Sequence, residues 1–168
     1  MGKASRLKRE RKRARTANET LADRVRHSAL GRETMLVKDP PGFEKVSDML
    51  AKLARPLIEQ SKTKEEYKEV LHLAAIAWNA ALLPEEERAG MLHEKKTAAG
   101  LGPTGIRLME KLIERKLALF PNERRPVLDI EVADLGGRFH LSVISEIPAS
   151  DPRARKVLEA KGLLPKAG

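Results

Sequence analysis

A chain of 168 residues has room for one domain with extensions. It contains no cysteine, which excludes disulfides, thiolate metal sites and a cysteine nucleophile, and it carries 33 Lys and Arg against 24 Asp and Glu, a net charge of +9 that suits a polyanionic partner. No apolar run reaches membrane-spanning length and no apolar signal segment follows the basic start, so a soluble, cytoplasmic protein with no membrane partner is expected.

The charge is segregated. The stretch KASRLKRERKRAR holds Lys3, Arg6, Lys8, Arg9, Arg11, Lys12, Arg13 and Arg15 against the single acid Glu10, a net of +7 that leaves +2 for all other residues. A membrane-surface helix needs an apolar face, and Leu7 is the only sizeable apolar residue here. An organellar transit peptide would be Ser-rich and amphipathic. The ordinary use of such a block is a solvated, disordered tail. Five arginines suit phosphate better than this, because a planar guanidinium offers paired N–H donors to two oxygens.

The stretch has no aromatic residue on which a base could stack, and the whole chain has only Tyr67, Trp78 and three phenylalanines. Backbone contact with a folded RNA, ribosomal RNA included, is therefore expected ahead of sequence readout, and ahead of DNA, for whose groove no reading element stands out. The eight bases are the expected nucleic-acid-binding residues, on an arm spanning residues 1–16 that is disordered or becomes helical on binding.

Residues 17–41 read as a short polar helix and a linker. Asn18 is a candidate N-cap, Leu21, Val25 and Leu30 follow at loose helical spacing, and Gly31 is a stop. Asp39, Pro40, Pro41 and Gly42 then break the chain. A compact domain is expected over residues 42–147.

Its first helix carries Phe43, Val46, Leu50, Leu53 and Leu57, widened by Met49, Ala54 and Ile58. Pro56 should kink that helix or end it at Arg55. The second opens at Thr63 with Glu66 as a capping box and becomes apolar nearly all round from Val70 to Leu83, as a central helix does. His72 and Asn79 lie two turns apart there. They could form a polar pair in a pocket, but a buried polar group satisfying a backbone group is the expected role.

Pro84 and Glu85, Glu86 and Glu87 open a third helix. Gly100, Gly102, Pro103 and Gly105 read as a hinge, since the GxxxxGK[ST] spacing of a phosphate loop is missing and no strand precedes it. The fourth helix, residues 106–120, shows a stripe of Met109, Leu112, Ile113, Leu117 and Phe120, with Arg107, Lys111, Arg115 and Lys116 on a solvated face.

From residue 127 to 145 the period changes to two, which predicts a β-hairpin. Leu128, Ile130 and Val132 face Phe139, Leu141 and Val143 on the apolar side. Pairing of Ala133 with Arg138 would set Glu131 opposite His140 and Asp129 opposite Ser142 on an exposed polar side. That trio of Asp129, Glu131 and His140 could serve a hydrolytic nuclease, although cross-strand charge pairing on an exposed sheet face is the commoner use. Residues 148–168 form an extension with a short helix from Pro152, capped by Asp151 and closed by Gly162.

The expected fold is α+β and predominantly helical: a bundle of about four helices with a C-terminal two-stranded β-hairpin packed on it, preceded by the basic arm. The expected function is non-enzymatic RNA binding in association with the ribosome, without cofactor or metal. The alternatives are a protein-interaction module whose helical body is the partner surface, and the nuclease.

Overall fold

The computed structural model describes residues 3–27, 40, 42–98 and 100–165. Among these the fold is α+β and mainly helical, in the order α1 (Lys3–His27), α2 (Val46–Ile58), α3 (Lys64–Ala81), α4 (Glu85–Ala98), α5 (Pro103–Leu119), β1 (Val127–Asp134), β2 (Phe139–Ser145) and α6 (Ala154–Ala160). The two antiparallel strands form the middle of three layers. Helices α2 and α3 pack on one side of the hairpin, with α5 against them, and α1 lies on the other.

The core is built from the apolar stripes expected of three helices and two strands. Helix α2 buries Val46, Met49, Leu50, Leu53 and Ala54, with Leu57 and Ile58 packed at the edge. It does not end at Arg55: it runs through Pro56 to Ile58. The proline removes the N–H that would reach the Lys52 carbonyl, and Arg115 supplies the missing donor from Nη2 to Lys52 O (3.3 Å), while its Nε donates to Leu53 O (3.1 Å). The break expected from the sequence is thus repaired by a side chain from α5.

Thr63 and Glu66 form the capping box that starts α3, the Thr63 hydroxyl accepting from Glu66 N at 3.1 Å. Trp78 is fully buried, and its indole N–H donates to Arg125 O (2.8 Å). Asn79 takes both backbone groups of Val127, accepting from Val127 N and donating to Val127 O, each at 2.8 Å. This is the structural role expected of Asn79, whereas His72 is exposed and shares no pocket with it. Arg88 of α4 reaches back to Ala80 O and Leu83 O at the end of α3.

The glycine-rich segment before α5 is not a free hinge along its whole length. Pro103 occupies the first helical turn and Gly102 the N-cap, so α5 begins three residues earlier than the stripe suggested. Two of its faces also change places. Leu117 is 37% exposed, and Lys116, assigned by the sequence to the solvated face, is only 1% exposed. Lys116 lies on the same stripe as Met109, Leu112 and Ile113, at i+7, i+4 and i+3. Burial still holds its ammonium below the ordinary lysine range, a penalty offset in part by donation to Glu123 O (2.7 Å) and Phe120 O (3.2 Å) and by the Trp78 ring, whose centre lies 5.2 Å away.

The hairpin register differs by two residues from the expected one. Leu135 N donates to Arg138 O (2.8 Å), leaving Gly136 and Gly137 as a two-residue turn with φ of +91° and +89°, a conformation that only glycine adopts readily. Glu131 therefore faces Ser142 and Ala133 faces His140, while Ile130 faces Val143 and Val132 faces Leu141. An irregularity between Val127 and Asp129 displaces Leu128, and Val127, held by Asn79, takes the buried place in the core.

The side of the hairpin expected to be exposed is covered. Helix α1 runs without a break through residues 16 and 17, where composition places the end of the arm, and Asn18 lies exposed in its middle instead of capping its start. Ala17 and Leu21 are buried against the strands, Leu21 to 1% exposure, which contributes about 1.5–3 kcal/mol. Ser142 on β2 is buried beneath them. Leu30, Gly31, Asp39 and Pro41, read as helix end and linker, lie outside the described residues. At the other end of the chain Asp151 and Arg153 form a turn before α6, so the short helix starts two residues later than Pro152, with Val157 as its buried anchor.

Candidate nucleic-acid interface

All eight bases expected to contact nucleic acid, Lys3, Arg6, Lys8, Arg9, Arg11, Lys12, Arg13 and Arg15, are exposed on the N-terminal half of α1. Two are committed to acids one turn on: Arg6 to the half-buried Glu10 (3.1 Å) and Arg15 to the exposed Glu19 (2.8 Å). Arg13 donates to the carbonyl of Asp134 (3.1 Å). The side chains of the other five have no ion-pair or hydrogen-bond partner among the described residues. Lys8, Arg11, Lys12 and Arg15 follow the i, i+3, i+4, i+7 spacing that sets them on one face, turned away from Ala17 and Leu21.

This half of the helix is electrostatically strained. Lys8 with Lys12, Arg9 with Arg13 and Arg11 with Arg15 are like-charge pairs at i,i+4, each unfavourable by about 0.2–0.5 kcal/mol at low salt. No acid sits in the first turn to complement the helix dipole. A polyanion laid along the helix would relieve both effects.

Anchoring of α1 falls to a residue that local sequence pattern does not mark. Arg24, one turn after Leu21, donates from Nε to Asp129 Oδ2 (2.8 Å), from Nη1 to Glu131 Oε2 and from Nη2 to Ile130 O (2.8 Å). The hydrogen bond to Asp129, with that to Glu131, outweighs the desolvation of Arg24 and holds its guanidinium still more firmly in the charged form. The structure thus brings Asp129 and Glu131 together, but around Arg24; His140 is not opposite either of them. The partners are 105 and 107 residues from Arg24 in sequence, so no local spacing signals the clamp.

Near the hairpin turn two more bases join the arm. Arg138 is 72% exposed and pairs with Glu10 (3.4 Å). Lys64, at the start of α3, acts with Arg13 on the Asp134 carboxyl. That carboxyl accepts the Gly137 and Gly136 N–H groups, which hold it below the ordinary carboxylate range. Arg24 lies over Asp129, Arg13 over Asp134 and Glu10 beside Arg138, so α1 runs towards the turn and residues 3–9 continue past it, by about 10 Å at 1.5 Å per residue.

A second ionic group occupies the opposite role, deep in the protein. Glu123 (8% exposed) receives Arg125 N (3.0 Å), Arg125 Nε (2.7 Å) and Arg125 Nη2 (2.9 Å). Burial pushes the Glu123 carboxyl up, but these bonds outweigh it and hold the group below its ordinary range. Arg125 also donates to Glu44 O, and both Arg125 and Arg153 lie against the Phe43 ring, at 4.7 and 4.0 Å from its centre. Arg153 binds Asp151 through Nε (3.0 Å) and Nη2 (2.7 Å), keeping that carboxyl depressed as well. An open groove of about 700 Å³ runs beside this group, lined in part by Met49, Phe120, Arg124 and Pro148.

Among the described residues no group of three His, Asp or Glu is arranged to hold a metal ion, and no helix is long and apolar enough to cross a membrane. The arrangement with free chemical capacity is the row of bases on α1: guanidinium and ammonium donors in water, on a helix whose position is fixed from behind. Comparison with protein-family models, with curated proteins and with solved structures finds no match to this chain.

Proposed function

We propose that the protein is a non-enzymatic RNA-binding protein that holds the phosphate backbone of a folded RNA through α1. The observation that carries this reading is the division of labour on that helix. Leu21 and Arg24 fix one side to the hairpin, and eight bases stand exposed in the half that precedes them. Guanidinium groups supply paired donors to phosphate, and binding would relieve the like-charge repulsion along the helix. Ribosomal RNA, an abundant folded RNA of the cytoplasm, is the first partner to test.

Filter binding over a salt series provides that test. With about five to seven phosphates neutralised, log K should fall with log salt at a slope of about −3.5 to −6. Changing Lys8, Arg11, Lys12 and Arg15 together to alanine should make that slope shallower by about 3 and weaken binding to unrelated folded RNAs alike. A slope that does not respond to the quadruple substitution refutes the reading.

A further inference from the structure

Lys3, Arg6, Arg9, Lys12 and Arg15 recur at every third residue, and all five are exposed. In a helix of 3.6 residues per turn each step of three turns back by about 60°, so this ridge winds through about 240° of the circumference over about 18 Å. Lys3 and Arg6 point to the same side as Leu21 and Arg24, but they lie in the turns that run past the hairpin. By Lys12 and Arg15, where α1 is docked, the ridge has moved to the outer side. The whole ridge is therefore open to solvent, with bases on opposite sides of one helix.

A flat surface cannot meet bases on opposite sides of a helix at once. Resting on the proposed RNA-binding reading, we infer that α1 inserts between two phosphate backbones, in a cleft of a folded RNA wide enough for a helix about 10–12 Å across. An uninterrupted A-form major groove is too narrow for this, so the partner is an RNA duplex opened by a bulge or internal loop. A single strand wrapped along the ridge is disfavoured, because α1 offers no aromatic side chain on which its bases could stack.

The test uses the full chain and four probes of equal phosphate number: a bulged RNA duplex, an uninterrupted RNA duplex, a single-stranded RNA and a B-form DNA duplex. Two double variants carry equal charge loss on opposite sides of the helix, K3A/R6A and K12A/R15A, with circular dichroism to check that each retains its helices. The expected result is about tenfold tighter binding of the bulged duplex than of the other three. Each double variant should also make the salt slope on that probe shallower by about 1.4–1.8. If one double variant is inert while the other loses binding, or if single-stranded RNA or DNA binds as tightly as the bulged duplex, insertion is overturned. Absence of salt-dependent binding to any RNA would instead overturn the functional reading beneath it.

Discussion

Along α1, eight bases stand in water, five of them without a side-chain partner among the described residues; around Glu123, Lys116 and Arg125 have been drawn out of it, with Arg153 and Asp151 at the edge of the group. Lys116 and Arg125 are 1% and 3% exposed, and every strong donor there meets a carbonyl, a carboxylate or an aromatic ring. The contrast separates two uses of the same side chains. In the buried group each charge completes another, and its removal leaves a partner stranded in low dielectric. On α1 most charges complete nothing within the protein, which leaves their full capacity for something outside it. Substitutions in the two regions should therefore separate stability from binding.

The largest effect on stability is expected at Glu123. Replacing it with glutamine leaves the buried Arg125 guanidinium uncompensated and should cost about 3–5 kcal/mol in urea unfolding, with the salt slope of RNA binding unchanged. The same group should govern acid stability. Folded-state carboxyls held below their ordinary range, as Glu123 and Asp151 are, contribute stability that is present above about pH 4 and is lost as pH falls through their depressed values. Wild-type protein should lose stability in that window, and Glu123→Gln should lose less over the same range. Equal acid sensitivity in both proteins would place the acid response elsewhere.

A smaller loss is expected for Lys116→Met. The thioether keeps the packing against Trp78 but leaves Glu123 O and Phe120 O without their donor, at a cost of about 1–3 kcal/mol by thermal or urea unfolding. Stability equal to wild type would mean that water reaches those carbonyls. Smaller again is Arg24→Ala, which opens a half-exposed clamp and should cost about 1 kcal/mol. Its sharper signature is local: amide hydrogen exchange should accelerate in α1 and leave α3 protected. Exchange unchanged in α1 would show that Leu21 alone suffices to hold it. Least of all, the quadruple alanine variant of Lys8, Arg11, Lys12 and Arg15 should shift stability by under about 0.5 kcal/mol, since lost repulsion offsets the lost Arg15–Glu19 pair.

The helical body was largely legible in the sequence because its signals are local. The stripe from Val46 to Ala54, the Thr63–Glu66 box and the alternation of Ile130 and Val132 each lie within one element. What failed was long range or a matter of one residue's chemistry. Pro56 reads as a stop until Arg115, 59 residues away along the chain, takes over the freed carbonyl of Lys52. Lys116 falls on the apolar stripe by spacing, yet its charge assigns it outward; counting positions without regard to residue type would have found it. The double glycine permits a tighter turn than the pairing first drawn, and two residues of register move Glu131 from His140 to Ser142. The eight exposed bases of the candidate interface were readable from composition alone, but the helix that carries them, the clamp that fixes it and the contributions of Arg138 and Lys64 all depend on tertiary proximity.

The sandwiching of β1 and β2 between α1 and the other helices also sets an order of assembly. Arg24 and its acceptors are separated by 105 and 107 residues, so a ribosome adding about 5–20 residues per second exposes the first of them about 5–20 s before the last. Through that interval Leu21 has no surface to bury against, and docking of α1 must wait for a loop closure spanning most of the chain. The charged helix is thus synthesised before the strands that secure it.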